Sequence, residues 1–182
     1  TTADFFVDGL RDDVQYFRSF YNVDRVEVLK GSNAMIFGRG GGDGCTNRVR
    51  ESAHLDQKSY AVTVSADTFG SYYGAADVNL PLGSAGLRVN AFYEKLDNHR
   101  DAFGGKRYAI NPTVTARLGT TTLVLGYEYV RDHRVADRGI PSATTGTIAA
   151  PTGPARGFRD TFFGKRDFND SEFEAHVVNF RS

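Results

Sequence analysis

The stretch Leu87-Arg88-Val89-Asn90-Ala91-Phe92-Tyr93-Glu94 alternates with period two: Leu87, Val89, Ala91 and Tyr93 form one set, and Arg88, Asn90, Phe92 and Glu94 the other. Successive side chains of a β-strand point to opposite faces, so this is a strand with one apolar and one largely polar face. The pattern recurs on both sides of it. Upstream, Tyr60, Val62, Val64 and Ala66 stand against Ser59, Thr63, Ser65 and Asp67. Downstream, Tyr108, Ile110, Val114, Ala116 and Leu118 stand against Asn111, Thr113, Thr115 and Arg117, and Leu123, Leu125, Tyr127 and Tyr129 against Thr122, Gly126 and Glu128. A last segment from Glu172 is less regular, with Glu172, Glu174 and His176 sharing a side.

Alternation alone fits a soluble antiparallel sheet, with its apolar face in a core, or a transmembrane barrel, with its apolar face in lipid. The connections favour the barrel. In order they cover residues 70–72, 81–86, 98–106, 119–121 and 132–171, so after the first one long and short alternate. One end of such a sheet carries tight turns and the other elaborate loops, as in outer-membrane barrels. Tyr72, Tyr73, Tyr93, Tyr108, Tyr127 and Tyr129 gather near strand ends on the loop-rich side, where a barrel carries its aromatic girdle. The segments match the roughly 9–11 residues a strand needs to cross lipid. Pro112 lacks an N–H inside one of them, which predicts a bulge or kink.

Residues 1–52 are organised differently. Residues 4–10 predict a strand running into a turn, and residues 24–31 a second strand with Val26 and Val28 alternating against Arg25 and Glu27. Residues 32–37 predict a short helix with Ser32 as N-cap and Gly38 just past its end. The glycine-rich Phe37-Gly38-Arg39-Gly40-Gly41-Gly42-Asp43-Gly44 follows that helix, whereas a phosphate loop precedes one, and no Gly-Lys-Ser/Thr completes it. Asp43 would also repel phosphate. The run is a turn.

Composition narrows the function. Lys+Arg and Asp+Glu are equal at 22 each, which leaves no electrostatic footprint for nucleic acid. A single cysteine, Cys45, excludes an intrachain disulfide framework and reads as a small buried residue. His54, His99, His133 and His176 lack metal-ligand spacing, so no metal site is expected. No run of 18 apolar residues provides a helical membrane span. Neither a Ser/His/Asp arrangement nor a carboxylate pair emerges, so no catalytic residue is assigned and the chain is not read as an enzyme.

Four motifs carry a family resemblance: Asp8-Gly9-Leu10-Arg11; Val23-Asp24-Arg25-Val26-Glu27-Val28-Leu29-Lys30-Gly31; Phe37-Gly38-Arg39-Gly40-Gly41-Gly42; and Thr46-Asn47-Arg48-Val49. In this order they resemble the C-terminal half of the plug domain of TonB-dependent outer-membrane receptors. Downstream, Asp77-Val78-Asn79-Leu80-Pro81-Leu82-Gly83 and Asp137-Arg138-Gly139-Ile140-Pro141 resemble the first barrel strands and third extracellular loop of the ferric-siderophore branch. Asp43 departs from the family's glycine, and Cys45-Thr46 from its aliphatic residues.

The resemblance implies a mostly β chain. Residues 1–52 are the C-terminal part of a mixed α/β plug, and residues 53–182 are about six antiparallel strands of a large transmembrane β-barrel of roughly 22 strands. The signal peptide, the TonB-contacting segment and the first half of the plug are expected upstream of Thr1. The implied function is import of a ferric siderophore through the bacterial outer membrane, with TonB and outer-membrane lipid as partners. Iron enters only as a chelate, without a resident cofactor. In the plug loop, Arg11, Gln15, Tyr16 and Tyr21 have the chemistry for the chelate, since aromatic faces pack on its organic shell and Arg or Gln bonds its oxygens. Tyr16, Phe17, Phe20 and Tyr21 fit a plug core equally well. Arg25, Glu27 and Arg48 are expected to lock plug to barrel. Arg131, His133, Arg134, Asp137 and Arg138 crowd the root of the long loop, either solvated there or recognising an anionic chelate. An importer of cobalamin or a saccharide with the same architecture, and a soluble β-rich binding module, are the alternatives.

Overall fold

The computed structural model describes residues 4–12, 14, 17–31, 44–142 and 153–182, and in it the strands form two sheets. The first contains β1 (Asp4–Val7), β2 (Leu10–Arg11), β3 (Val23–Leu29) and β4 (Cys45–Arg50), in the order β2-β1-β4-β3. Asp8 and Gly9 adopt φ of 50° and 80°, so two successive left-handed residues turn β1 back onto β2. β4 lies parallel to β1 and antiparallel to β3. Phe6 and Cys45 are buried side by side with Leu29 packed on them, which gives Cys45 the buried position expected of it. The helix expected at 32–37 and the glycines up to Gly42 lie outside the described residues.

The second sheet is an antiparallel meander of six strands, each beside the next in sequence. These are β5 (Ser59–Ala66), β6 (Tyr72–Leu82), β7 (Ala85–Leu96), β8 (Gly105–Leu118), β9 (Thr121–Val135) and β10 (Asp170–Arg181). At one end, residues 83–84 and 119–120 close tight turns, with Gly83 and Gly119 at φ of 74° and 63°. At the other end the connections are longer, and the last carries the one-turn helix α1 (Arg166–Asn169). β9 extends further than the sequence indicated. Arg131 and His133 pair across to Glu172 and Asp170, so the long loop begins at Ala136. No helix of the described residues is long and apolar enough to cross a membrane.

The two faces of this sheet are inverted relative to a soluble protein. Asn79, Asn90 and Asn111 are 0%, 1% and 1% exposed, whereas Val62 and Val64 are 77% and 78% exposed. In β7 the buried residues are Gly86, Arg88, Asn90 and Phe92, the opposite set from the apolar one. A soluble sheet buries its apolar face, because exposing it forfeits the hydrophobic stabilisation. Here the small first sheet covers the polar face, and Leu, Val, Ile and Tyr side chains cover the other. That is the sidedness of a barrel wall.

A row of aromatic rings crosses the apolar face near its loop-rich end. Tyr72, Tyr93, Tyr108, Tyr129 and His176 follow one another over five strands, with successive ring centroids 5.9, 6.4, 6.1 and 5.0 Å apart. Tyr127 lies below the row on the same face, its hydroxyl 2.7 Å from His176 Nδ1. Tyr73 does not join it. One residue beyond Tyr72, it points to the opposite face and stacks on Phe92 at 5.8 Å.

The bulge or kink expected at Pro112 is absent. Ile110 pairs with Tyr129 and Thr113 with Gly126, so the register passes through unshifted. Pairing with β9 lapses only at residues 111 and 112, where the missing proline N–H would have reached the Tyr127 carbonyl. Asn111 Nδ2 donates to that oxygen at 2.7 Å instead.

Candidate functional site

The two sheets meet along a polar seam. Glu51, one residue past β4, receives Arg88 Nη2 at 2.8 Å and Asn90 Nδ2 at 2.6 Å. Arg88 also holds Asp77 through Nε at 2.8 Å and Nη2 at 2.6 Å, so one guanidinium joins two carboxylates from different sheets. Burial pushes the Glu51 carboxyl above its usual range, opposed by the charge of Arg88 and the bond from Asn90. Further along, Asn22 Nδ2 donates to Asn111 Oδ1 at 3.1 Å and to Glu128 Oε1 at 3.2 Å. The Tyr21 hydroxyl donates to the same Glu128 oxygen at 2.8 Å, and its ring lies 4.8 Å from that of Phe92. The segment leaving the first sheet is gripped by Asn79, which accepts from His54 N–H at 2.9 Å and donates to the carbonyls of His54 and Gln57 at 3.2 and 2.6 Å.

Beside β9 and β10 the seam opens into a cavity of about 540 Å³, lined on the plug side by Leu10, Arg11, Asp12, Phe17 and Arg18 and reaching along β10 from Phe173 to Arg181. Its walls carry paired charges: Arg18 with Asp12, and Asp132 with Arg134. Arg107, also on the wall, pairs with Glu94 at 3.2 Å. The Arg134 guanidinium lies 4.4 Å over the Phe17 ring, a cation–π contact between the two sheets' segments. Phe17 and Phe20 are otherwise exposed.

The residues singled out from sequence fall in different places. Arg11 lines the cavity, and Tyr21 belongs to the seam; Gln15 and Tyr16 lie outside the described residues. Arg25 pairs with Asp24 and Glu27 on its own strand, and Glu27 also accepts from Asn47 at 2.8 Å. The Arg48 guanidinium lies over Phe20 at 5.3 Å and Phe5 at 5.9 Å, within the first sheet's own segment. Contacts across the seam include those of Asp8, Tyr21, Asn22 and Glu51. Arg131 and His133 point out on the apolar side of β9, paired with Glu172 and Asp170, and Arg134 points in. Asp137, at the loop root, accepts from Arg100 at 3.2 Å and from Gly139 N–H at 2.8 Å, while Arg138 is exposed. Among the described residues, no three His, Cys, Asp or Glu side chains converge as a metal site would require.

The seam residues Asn79, Arg88, Asn90 and Asn111 were not singled out, although each is the polar member of an alternating segment. Buried amides at matching positions of neighbouring strands were the available signal.

No family model matches the chain. It is 30% identical to the catecholate siderophore receptor Fiu of Escherichia coli K12, an alignment that takes in 99% of this chain and 25% of that receptor. To the probable TonB-dependent receptor BfrD of Bordetella pertussis it is 33% identical, with the same coverage of 99% and 25%. The crystal structure of the siderophore receptor PiuA from Acinetobacter baumannii superposes with a TM-score of 0.84 at 26% identity, over 97% of this chain and 26% of that one. The open form of Fiu gives 0.69 at 32% identity, over 75% and 21%. The chain therefore spans about a quarter of the length of the curated relatives it matches.

Proposed function

Because this chain belongs to the TonB-dependent outer-membrane receptors, we propose that the protein imports a ferric siderophore across the bacterial outer membrane. Residues 1–52 are the C-terminal part of its plug, and the barrel wall begins at residue 53. The observation that carries the proposal is the inverted sheet, with its apolar face turned outward and its buried polar face holding a plug by a seam of hydrogen bonds, the branched ion pair at Arg88 and a second ion pair between Asp8 and Arg181. A seam of polar bonds can be exchanged for water when a plug is displaced, whereas an apolar core would have to be exposed.

The chelate binds from the loop-rich side, over the 540 Å³ cavity. Arg11, Gln15 and Tyr16 remain the candidate contacts on the plug loop. Phe17 and Phe20 join them, since both present aromatic faces beside arginine. Tyr21 serves the seam. Arg134, Asp137 and Arg138 remain candidates at the root of the long loop, while Arg131 and His133 face outward and hold β10. TonB, engaging a segment outside this chain, supplies the work that opens the seam. No bond of the cargo is made or broken, so the mechanism has no catalytic residue, and iron is cargo.

The test is uptake by cells that lack their own siderophore receptors and express the full-length gene. Energy-dependent accumulation of radiolabelled iron from an aryl-rich chelate, unaffected by excess cobalamin or maltodextrin, is expected. Accumulation of labelled cobalamin or saccharide with none of iron would replace this reading by the other importer.

A further inference from the structure

We propose that residues 51–57 form a fixed anchor on the barrel wall during transport, held there by Asn79 as a positioning residue, so that plug motion stops short of this segment. The inference rests on the import reading. Three observations locate the anchor. Asn79 is completely buried, and its amide makes three bonds to linker backbone: from His54 N–H, and to the carbonyls of His54 and Gln57. A Cβ on Gly86, in the neighbouring strand, would sit 2.9 Å from the His54 oxygen and 3.3 Å from Ala53 Cβ, so the linker lies closer to the wall than any side chain there permits. Arg88, already bound to Glu51, reaches the Ser52 carbonyl at 3.4 Å.

Upstream, the plug touches the wall differently. Tyr21 and Asn22 contact it mainly through side-chain tips that meet Asn111 and Glu128, with one 3.4 Å bond from Asn90 to the Tyr21 carbonyl, and Asp8 reaches it through a single ion pair to Arg181 at 3.3 Å. Such tips can part and be solvated one at a time. Releasing the linker requires three bonds to one buried amide to break together and leaves backbone groups unpaired against a closed wall. Under a pull from upstream, the seam at Tyr21 and Asn22 parts first and the linker last.

The experiment uses the full-length receptor in two arms. In the purified resting protein, hydrogen exchange at the His54 amide should be at least about tenfold faster in Asn79→Ala, and less affected in Asn79→Asp, which keeps the acceptor. Unchanged exchange in Asn79→Ala overturns the clamp. In cells, Ala53→Cys in a Cys45→Ser background is labelled with a small maleimide, with and without ferric chelate and an uncoupler. The anchor requires a slow rate that chelate and energy change by less than about twofold, and a rise of about fivefold or more with both present once Asn79→Ala is added. A comparable rise with Asn79 intact shows that the linker leaves the wall, and no rise in Asn79→Ala shows that Asn79 does not hold it; either result overturns the proposal. If wild-type cells take up no ferric chelate, the import reading falls, while the exchange arm still judges the clamp.

Discussion

Arg88 holds Glu51 of the plug and Asp77 of the wall with a single guanidinium, and both carboxylates are mostly shielded from solvent. Arg88→Leu would leave two like charges facing each other without a cation between them. Breaking such a pair costs about 3–5 kcal/mol where it is fully buried, and partial exposure here places the expected loss near the lower end. Urea unfolding of the full-length receptor, followed by protease release of the plug, measures it. The same residue sets a pH dependence. The folded state holds the Glu51 proton more tightly than the unfolded chain does, so stability is greatest below the ordinary value of 4.5 and is lost as pH rises from there through the raised value. The seam should therefore strengthen on mild acidification. Glu51→Gln should remove this part of the slope, and Arg88→Leu should steepen it, since the opposing cation is gone. Denaturation midpoints across that window read both changes, and a wild-type seam that weakens as pH falls towards 4.5, by a margin Glu51→Gln removes, would contradict the assignment.

Within strand β8, Asn111 and Pro112 act as a pair. Proline removes a ladder donor, and the neighbouring amide supplies another to the same Tyr127 carbonyl while its oxygen accepts from Asn22. Pro112→Ala restores the backbone N–H, so Asn111→Ala should cost less in that background. The expected coupling in a double-mutant cycle is about 1 kcal/mol, one net hydrogen bond; additive effects would show that the amide does not replace the missing donor. The strands themselves were legible in the sequence because side-chain alternation has a period of two whatever covers each face. The faces were legible through the loop asymmetry and the tyrosines near the strand ends, since lipid and a protein core select the same apolar side chains. Parity also separates Tyr72 from Tyr73, which nearness to a strand end cannot do. The seam was less accessible: Arg88 meets Glu51 across 37 residues, and no local pattern distinguishes Glu51 from Glu27, which bonds only within the plug. Arg25 was placed at the seam by its charge, yet it pairs with Asp24 and Glu27 on its own strand.

For the molecule as a whole, the inverted sheet makes a prediction that a soluble fold of the same strands does not share. Along β7 the outward residues Leu87, Val89, Ala91 and Tyr93 run from the turn end to the aromatic row. Arginine introduced singly at each samples depth in the bilayer. At the midplane it costs about 2–4 kcal/mol and near the interface about 0–1, because the side chain can reach headgroup and water there. The loss should peak at Val89 and Ala91 and fade at Tyr93, even though Tyr93 gives up the largest side chain. In a soluble core the ranking follows the volume lost and the closeness of packing, which makes Tyr93 and Leu87 the costly sites and Ala91 a matter of overpacking. Unfolding of the full-length receptor from lipid bilayers separates the two orders. A maximum at Tyr93 would mean that the exposed valines and leucines of this sheet are covered by protein rather than lipid, and the barrel assignment would fail with it.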